Sequence, residues 1–322
     1  MSVEISVVCL TYNSDLKKTL TTLNSVISQK YCSFELIIAD DGSDVNQFEA
    51  IEEFLESRKF ANYKLRANET NNGIICNYLS AIELAQGKYI KYISPGDYLY
   101  DEYTLSKCIA FMQKYKAEFA YGKALYYSNA TNRLAFLNKQ DPVFTELYDA
   151  DKKDYDFDEV LKYLLLYQDY VLGAAIIADR VLLKQYLLEI VGKVIYIEDN
   201  TILPLVTLDR KRIYYFNEYI LWYECDSGIS TNVNRGFKEK IDIDFLNCYK
   251  LLKQQHDNIY IYLAYWRQRF EVNKDKILLS IVKRIVDLFY GRRKFRRMKT
   301  RKELNRFIEV FDVNNWYMWQ EF

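Results

Sequence analysis

The first hundred residues alternate short apolar runs with amphipathic stretches, and this pattern limits the fold more than any other feature. Val3–Leu10 is apolar and rich in β-branched residues, and helical spacing follows over Asp15–Gln29. Further strand patterns lie at Glu35–Ala39, Lys64–Arg66 and Lys88–Ile93. Such alternation predicts an α/β fold in which a mostly parallel central sheet carries helices on both faces.

Four polar turns follow strand patterns in this region. They are Thr11–Asn13, Asp40–Ser43, Asn71–Gly73 and Ser94–Asp97. In open α/β sheets, ligands bind where the carboxyl ends of the strands meet their loops. We therefore expect these four turns to lie together at one edge of the sheet and to form a binding site.

The middle of the chain is less regular. Thr104–Tyr115 and Asp158–Tyr167 have helical spacing, and a further helix is predicted over Arg180–Val191. Arg212–Phe216 and Tyr219–Tyr223 predict two aromatic strands. From residue 236 onward the pattern is helical throughout, so we place a domain boundary there.

Two of the turns have structural explanations as well as functional ones. Asp41 could accept hydrogen bonds from a nucleobase or ribose while Gly42 permits the tight turn, yet the same residues also form an ordinary Asx turn. Tyr12 could stack on a planar base, but a single tyrosine carries little information in a chain with 30 of them. Neither turn identifies a ligand by itself.

The remaining acidic residues are equally ambiguous when taken singly. Asp97 offers one carboxylate, whereas Mg²⁺ and Mn²⁺ normally take more oxygen ligands. Glu198 and Asp199 could supply a general base. Adjacent acids at a helix start also serve as caps that complement the helix dipole.

The composition excludes several kinds of site. The chain has one histidine, His256, which excludes His-rich metal sites and histidine relays. Its six cysteines include no C-x-x-C pair, which excludes zinc ribbons and thioredoxin-like redox sites. No apolar run follows a basic segment at the start of the sequence, so we predict no secretory signal, reduced thiols and a cytosolic protein.

The order of these motifs resembles glycosyltransferase family 2. The matching pieces are Ser6–Asn13, Leu36–Ser43, Asn71–Gly73, Gly87–Leu99 and the pair Glu198-Asp199. The resemblance implies the GT-A fold, in which a Rossmann-like nucleotide-binding half is fused to an acceptor-binding half. These halves would be residues 1–100 and 101–235, and a C-terminal helical region would follow over residues 236–322.

The resemblance also implies an activity and a set of site residues. Members of the family transfer a sugar from a nucleotide donor, often a UDP-sugar, with inversion at the anomeric carbon. Asp199 would be the base that deprotonates the acceptor hydroxyl, with Glu198 as its neighbour or alternative. The nucleotide donor would be bound by Thr11, Tyr12, Asn13, Asp41, Asn71, Gly73, Asn77 and Asp97.

The acidic loop departs from the family pattern. Members usually carry Asp-x-Asp or Asp-Asp there, whereas this chain has Ser94-Pro95-Gly96-Asp97, with Gly96 where a metal-binding Asp is expected. The resemblance therefore implies either a divalent metal, Mn²⁺ or Mg²⁺, bound through Asp97, or weak metal dependence. The altered loop is also consistent with an alternative function, in which the chain is a catalytically silent relative that binds a glycan or nucleotide as an assembly partner.

The formal net charge of zero conceals a basic C-terminal segment. Between Lys274 and Arg306 there are 13 basic and 3 acidic residues, and the segment 277–302 combines an apolar run with clustered cations. This predicts either a helix that lies on an anionic membrane surface or a helix packed on the acceptor half with a solvated basic face. No nucleic-acid motif is present.

Together these features predict a peripheral enzyme at the cytoplasmic face of the cell membrane. Its acceptor would be a lipid-linked glycan in bacterial surface polysaccharide synthesis, such as capsule synthesis.

Overall fold

The strand β1 (Ile5–Thr11) lies at the centre of the first half of the sheet. All of its residues are buried, and it pairs in parallel with β2 (Phe34–Asp40) on one side and β4 (Tyr89–Ile93) on the other. The strand β3 (Tyr63–Ala67) extends this half beyond β2. The computed structural model describes residues 2–128, 135–137, 141–225 and 235–304. An apolar strand buried on both faces is typical of parallel sheets, so β1 confirms the predicted arrangement.

Alternate residues of β1 point into two apolar cores on opposite faces of the sheet. Val7 and Cys9 belong to one core, which also holds buried residues of α1 (Leu16–Ile27) and α2 (Phe48–Ser57). Val8 and Leu10 belong to the other, larger core together with α3 (Ile74–Leu84). Helices therefore cover both faces, as the sequence predicts.

The second half of the sheet mixes strand directions. The chain adds α4 (Thr104–Tyr115), β5 (Tyr98–Leu99), β6 (Phe119–Ser128), β7 (Ala135–Leu137), β8 (Ile176–Asp179) and β9 (Ile213–Glu224). In the described residues the order is β3-β2-β1-β4-β8-β6-β9-β5, with β7 paired to β6. The strand β8 is antiparallel to both β4 and β6, whereas β6 and β9 are parallel. The sheet is mostly parallel, and β8 joins its two halves.

The prediction of two aromatic strands is wrong in one respect. Apart from Arg212, which precedes it, the predicted strands Arg212–Phe216 and Tyr219–Tyr223 form parts of one continuous strand, β9, rather than two. The pairing of β9 with β6 shifts register near Gly122 and Lys123, which marks a bulge. The polar residues in the middle of β9 lie at this irregularity and do not end the strand.

The C-terminal helices share the larger core with the sheet. The remaining helices are α5 (Phe157–Lys162, continued by a π-helical turn over Tyr163–Tyr167), α6 (Arg180–Ile190), α7 (Glu198–Leu208), α8 (Arg235–Gln255), α9 (Ile259–Val272), α10 (Lys276–Phe289) and α11 (Arg292–Leu304). Buried residues of α8 to α11 belong to the core that contains Val8. The helix α8 begins near the predicted boundary, yet the apolar core continues across it.

No helix in the described ranges is both long and apolar enough to cross a membrane.

Candidate active site

Hydrogen bonds join the turns that follow β1 and β2. The Asn13 backbone N–H donates to Ser43 Oγ at 2.7 Å, and the Asp44 N–H donates to Asn13 Oδ1 at 2.9 Å. At the last residues of the two strands, Thr11 Oγ1 donates to Asp40 Oδ1 at 2.9 Å. The Tyr12 side chain is 48% exposed, so its ring is accessible to a planar ligand. Three predicted nucleotide-binding residues thus lie together at the carboxyl end of β1.

Asp41 links a third turn, Asn71–Gly73, to this edge of the sheet through hydrogen bonds. Its buried carboxylate accepts hydrogen bonds from the backbone N–H groups of Asn72 (3.0 Å) and Gly73 (2.8 Å) and from Asn68 Nδ2 (2.9 Å). Asn71 Oδ1 also accepts from the Gly73 N–H at 3.0 Å. A carboxylate has about four acceptor positions, so Asp41 keeps about one for a ligand.

Asn77 is placed differently from the other predicted nucleotide-binding residues. It is buried inside α3, and its Nδ2 donates to the Ala39 carbonyl of β2 at 2.9 Å. The side chain therefore anchors α3 to the sheet. Its predicted role in binding the nucleotide donor stays a prediction.

The acid pair lies in the first turn of α7. Asp199 Oδ1 accepts hydrogen bonds from the Asn200 N–H at 2.7 Å and from Asn200 Nδ2 at 2.8 Å, and the Gly173 N–H donates to the same carboxyl group. A Cβ added to Gly173 would lie 2.5 Å from Asp199 Oδ2. Gly173 therefore permits the close approach that fixes the orientation of Asp199. Among the residues that the structure describes, Asn200 Oδ1 is buried without a hydrogen-bond partner, so this acceptor atom beside Asp199 can accept a further hydrogen bond.

Burial makes both acids of this pair weaker than free side chains. It raises the pKa of Glu198 and of Asp199, and the charge of Asp199 raises that of Glu198 further. The pKa values of Tyr78 and Tyr92 are raised by burial and secondarily by the nearby charge of Glu198. A carboxylate with a raised pKa is a stronger base near neutral pH, which suits proton abstraction from a hydroxyl group.

The segment before the acid pair is held by Asp244, a residue that the sequence analysis does not single out. This buried side chain of α8 accepts hydrogen bonds from the backbone N–H groups of Ile195 (2.9 Å) and Tyr196 (2.7 Å). A Cβ added to Gly73 would lie 3.7 Å from Ile195 Cγ2. Ile195, three residues before the acid pair, therefore lies against the turn that Asp41 holds.

A buried lysine supports the other side of Asp199. Lys91 lies in the middle of β4, and its Nζ donates to the Tyr92 carbonyl at 2.7 Å and to the Ala174 carbonyl. It thereby anchors the short 3₁₀ turn Gly173–Ala175 that contacts Asp199. Burial lowers the pKa of Lys91 to about 8. The sequence does contain a signal for this role of Lys91, because a lysine in the middle of an otherwise apolar strand is unusual.

The Asp97 side chain is buried. Burial raises its pKa to about 7, and its Oδ1 accepts a hydrogen bond from the Glu224 N–H at 3.1 Å. The neighbouring Glu224 carboxylate is paired with Lys18 Nζ at 2.6 Å. Across the described ranges, no three His, Cys, Asp or Glu side chains converge on a point that would suit a metal ion. The described side chains alone therefore do not form a complete metal site, and the divalent cation expected at Asp97 stays a prediction.

Comparison with known proteins connects this arrangement to one family. The family described as "Glycosyl transferase family 2" matches residues 6–169, about half of the chain. The match covers the turns at the carboxyl ends of β1, β2 and β4 and ends before the acid pair.

Two curated relatives match over shorter stretches. The Escherichia coli UDP-Glc:alpha-D-GlcNAc-diphosphoundecaprenol beta-1,3-glucosyltransferase WfgD is 29% identical over 118 residues, which are 37% of this chain and 44% of the relative. An uncharacterized glycosyltransferase of Haemophilus influenzae is 32% identical over 108 residues, which are 34% of this chain and 42% of the relative. The chain thus spans less than half the length of the curated relatives it matches.

Solved structures share the fold at low sequence identity. S. aureus TarS 1–349 is 18% identical, with a TM-score of 0.56 over 85% of this chain and 74% of its own. The mannosyltransferase PcManGT of Pyrobaculum calidifontis, solved with GDP-Man and Mn²⁺, is 11% identical, with a TM-score of 0.58 over 94% of this chain and 86% of its own. These similarities extend the shared architecture beyond the matched residues to the region that holds the acid pair.

Proposed function

The chain belongs to glycosyltransferase family 2, and on that basis we propose that it transfers a sugar from a nucleotide donor to a hydroxyl group of a glycan acceptor, with inversion at the anomeric carbon. The observation that carries the proposal is that the segment leading into Glu198 and Asp199 lies against the turn that Asp41 holds. An acid pair of raised pKa beside a binding edge with an accessible aromatic ring suits this transfer.

The proposed reaction is a single displacement. The acceptor oxygen forms a bond to the anomeric carbon while the bond from that carbon to the diphosphate oxygen breaks. The acceptor proton passes to Asp199, and the bonding electron pair leaves with the nucleoside diphosphate. Since a sugar hydroxyl is a weak nucleophile, a positioned carboxylate base is expected to contribute about 100- to 10,000-fold.

We propose a UDP-sugar as the donor. TarS has been solved with UDP and with UDP-GlcNAc, and the E. coli relative is named for UDP-Glc. In this chain, Tyr12 would stack on the base, Asp41 would accept a hydrogen bond from it, and Asn13 and Asn71 would lie at the ribose and diphosphate. This proposal does not depend on a cation at Asp97, whose Oδ1 accepts a hydrogen bond from the Glu224 N–H.

We propose a lipid-linked glycan as the acceptor, in bacterial surface polysaccharide synthesis such as that of capsule. The name of the E. coli relative describes a diphosphoundecaprenol acceptor, which supports this choice. The Asn200 Oδ1 atom, buried without a partner beside Asp199, would accept a hydrogen bond from the acceptor sugar. Such an acceptor places the enzyme at the cytoplasmic face of the membrane.

The helices α10 and α11 supply a surface for that placement. Leu279, Val282 and Val286 of α10 pack against the protein, whereas Ile277 and Leu288 are exposed on the same helix. On α11, Phe295 is buried and stacks on Tyr167. The exposed cations of this helix therefore face outward. Exposed apolar residues beside cations suit an anionic lipid surface, where each cation is worth about 1 kcal/mol.

Because Gly96 stands where a metal-binding Asp is expected, it favours one other candidate function. In that case the chain is a catalytically silent relative that binds a nucleotide or glycan as an assembly partner. A panel of nucleotide sugars, offered with a lipid-linked N-acetylglucosamine acceptor, distinguishes the two. The proposed enzyme releases UDP from one UDP-sugar and elongates the acceptor. If the protein binds UDP with no turnover of any donor or acceptor, the silent relative is the correct description.

A further inference from the structure

The Glu224 carboxylate occupies the space beside Gly96. Gly96 has φ +100°, and a Cβ added there would overlap Glu224 Oε2. Glu224 is the last residue of β9, and its backbone N–H also donates to Asp97. The position at which a metal-binding Asp is expected thus lacks a side chain, and the carboxylate that lies there comes from β9, which pairs with the strand β5 that follows Gly96.

The Glu224 carboxylate forms an ion pair with Lys18 instead of facing a metal ion. Lys18 Nζ donates to Glu224 Oε1 at 2.6 Å and to Oε2 at 2.8 Å. The Glu224 side chain is only 4% exposed, whereas that of Lys18 is 37% exposed. An ammonium group has three N–H donors, so Lys18 can remain paired with Glu224 and still donate to a ligand on its solvent side.

The lysine lies on the same edge as the predicted nucleotide-binding turns. It belongs to the first turn of α1, which begins at Leu16, shortly after Thr11–Asn13. The positive end of the α1 dipole faces the same region. A lysine oriented by a glutamate also binds nucleotide phosphates in protein kinases, so an ion pair of this kind does not prevent phosphate binding.

We propose that the Lys18 ammonium group, oriented by Glu224, replaces a divalent cation in neutralising the diphosphate of the donor. This inference rests on the proposed glycosyltransferase function. As the bond between the anomeric carbon and the diphosphate oxygen breaks, negative charge grows on that oxygen. Lys18 stabilises the charge by donating a hydrogen bond, with no transfer of its proton, and Glu224 is a positioning residue.

The test measures UDP binding by titration calorimetry with the full chain. The protein treated with EDTA should bind UDP as tightly as it does with added Mn²⁺. Lys18→Met should weaken binding by about 10- to 100-fold, the usual size of a lost hydrogen bond to a charged group. Lys17→Met, which changes an exposed lysine on the same helix, should leave UDP affinity unchanged.

A double variant separates ligand binding from folding. Lys18→Met leaves a buried carboxylate unpaired, so Lys18→Met with Glu224→Gln removes both charges together. The proposal requires the double variant to bind UDP as weakly as Lys18→Met. Restored affinity would make Lys18 a structural residue and overturn the inference.

Two other outcomes concern the wild-type protein. UDP binding that requires Mn²⁺ would overturn the inference and leave the proposed function intact. Absence of UDP binding under both conditions would contradict the proposed donor itself.

Discussion

The backbone N–H of Tyr196 donates a 2.7 Å hydrogen bond to Asp244, and through it the C-terminal helices hold the acid pair. Asp244 also accepts from the Ile195 N–H, so one buried carboxylate satisfies both donors. The segment that leads into α7 therefore depends on α8, although the two residues of each contact are nearly fifty positions apart. The C-terminal region is structurally part of the proposed active site.

Asp244→Ala should impair both folding and catalysis. Each buried N–H left unpaired costs about 1–3 kcal/mol, so the free energy of unfolding should fall. Because the acid pair loses its support, kcat should fall more than UDP affinity. Urea unfolding and steady-state kinetics measure the two effects, and Asp257→Ala, an exposed position just after α8, is the control. Unchanged stability and kcat in Asp244→Ala would show that the contact does not hold the pair.

Gly173→Ala should displace the proposed base. The added Cβ would lie 2.5 Å from Asp199 Oδ2, so the carboxylate has to move. A shift of about 1 Å can cost about 100-fold in turnover, while UDP affinity should stay the same. Gly192→Ala is the control, since a Cβ added there has no atom of the described residues within 4 Å, although its positive φ makes the variant slightly less stable. Full turnover in Gly173→Ala would contradict the assigned position of the base.

Glu198→Gln should stabilise the protein at high pH. Burial raises the pKa of Glu198, so the folded protein holds this proton more tightly than the unfolded chain does. Its contribution to stability is therefore lost as the pH rises from about 4 through the raised pKa. The urea midpoint of the variant should exceed that of the wild type at pH 8 and match it near pH 4. Exposed Glu53→Gln is the control; a difference independent of pH would contradict this explanation.

Membrane binding should depend on the exposed face of α10. Ile281→Glu with Leu288→Glu should weaken co-sedimentation with vesicles that contain phosphatidylglycerol by about tenfold or more, since two apolar side chains no longer insert. Val181→Glu with Leu188→Glu changes two exposed apolar residues of α6 and should leave binding intact. If both pairs of substitutions have the same effect, α10 is not the membrane-binding surface.

The fold of the first hundred residues could be predicted because its signals are local. The buried strands β1 and β2 are each followed by a polar turn and an amphipathic helix, and β1 has the apolar character of a central parallel strand. The strand β6 was not predicted. Its sequence Phe119–Ser128 contains a glycine and a lysine, and only its pairing with β8 and β9 makes it part of the sheet. Contacts between distant segments leave no periodic signal in a single sequence.

The candidate site was predictable to a similar extent. The turns that contain Asn13, Asp41 and Gly73 follow strands, so their assembly at one edge follows from topology. Asp244 and Gly173 could not be predicted, because their roles depend on tertiary contacts with Ile195, Tyr196 and Asp199. The same holds for Glu224, whose place beside Gly96 depends on the pairing of β9.

The most direct test of the central claim is the transfer rate of Asp199→Asn with its cognate UDP-sugar and acceptor. Loss of the base should lower turnover by about 100- to 10,000-fold while UDP affinity, measured by calorimetry, stays unchanged. Glu198→Gln serves as the matched comparison and should retain far more activity. Wild-type turnover in Asp199→Asn, with or without loss of activity in Glu198→Gln, would contradict the assignment of Asp199 as the base.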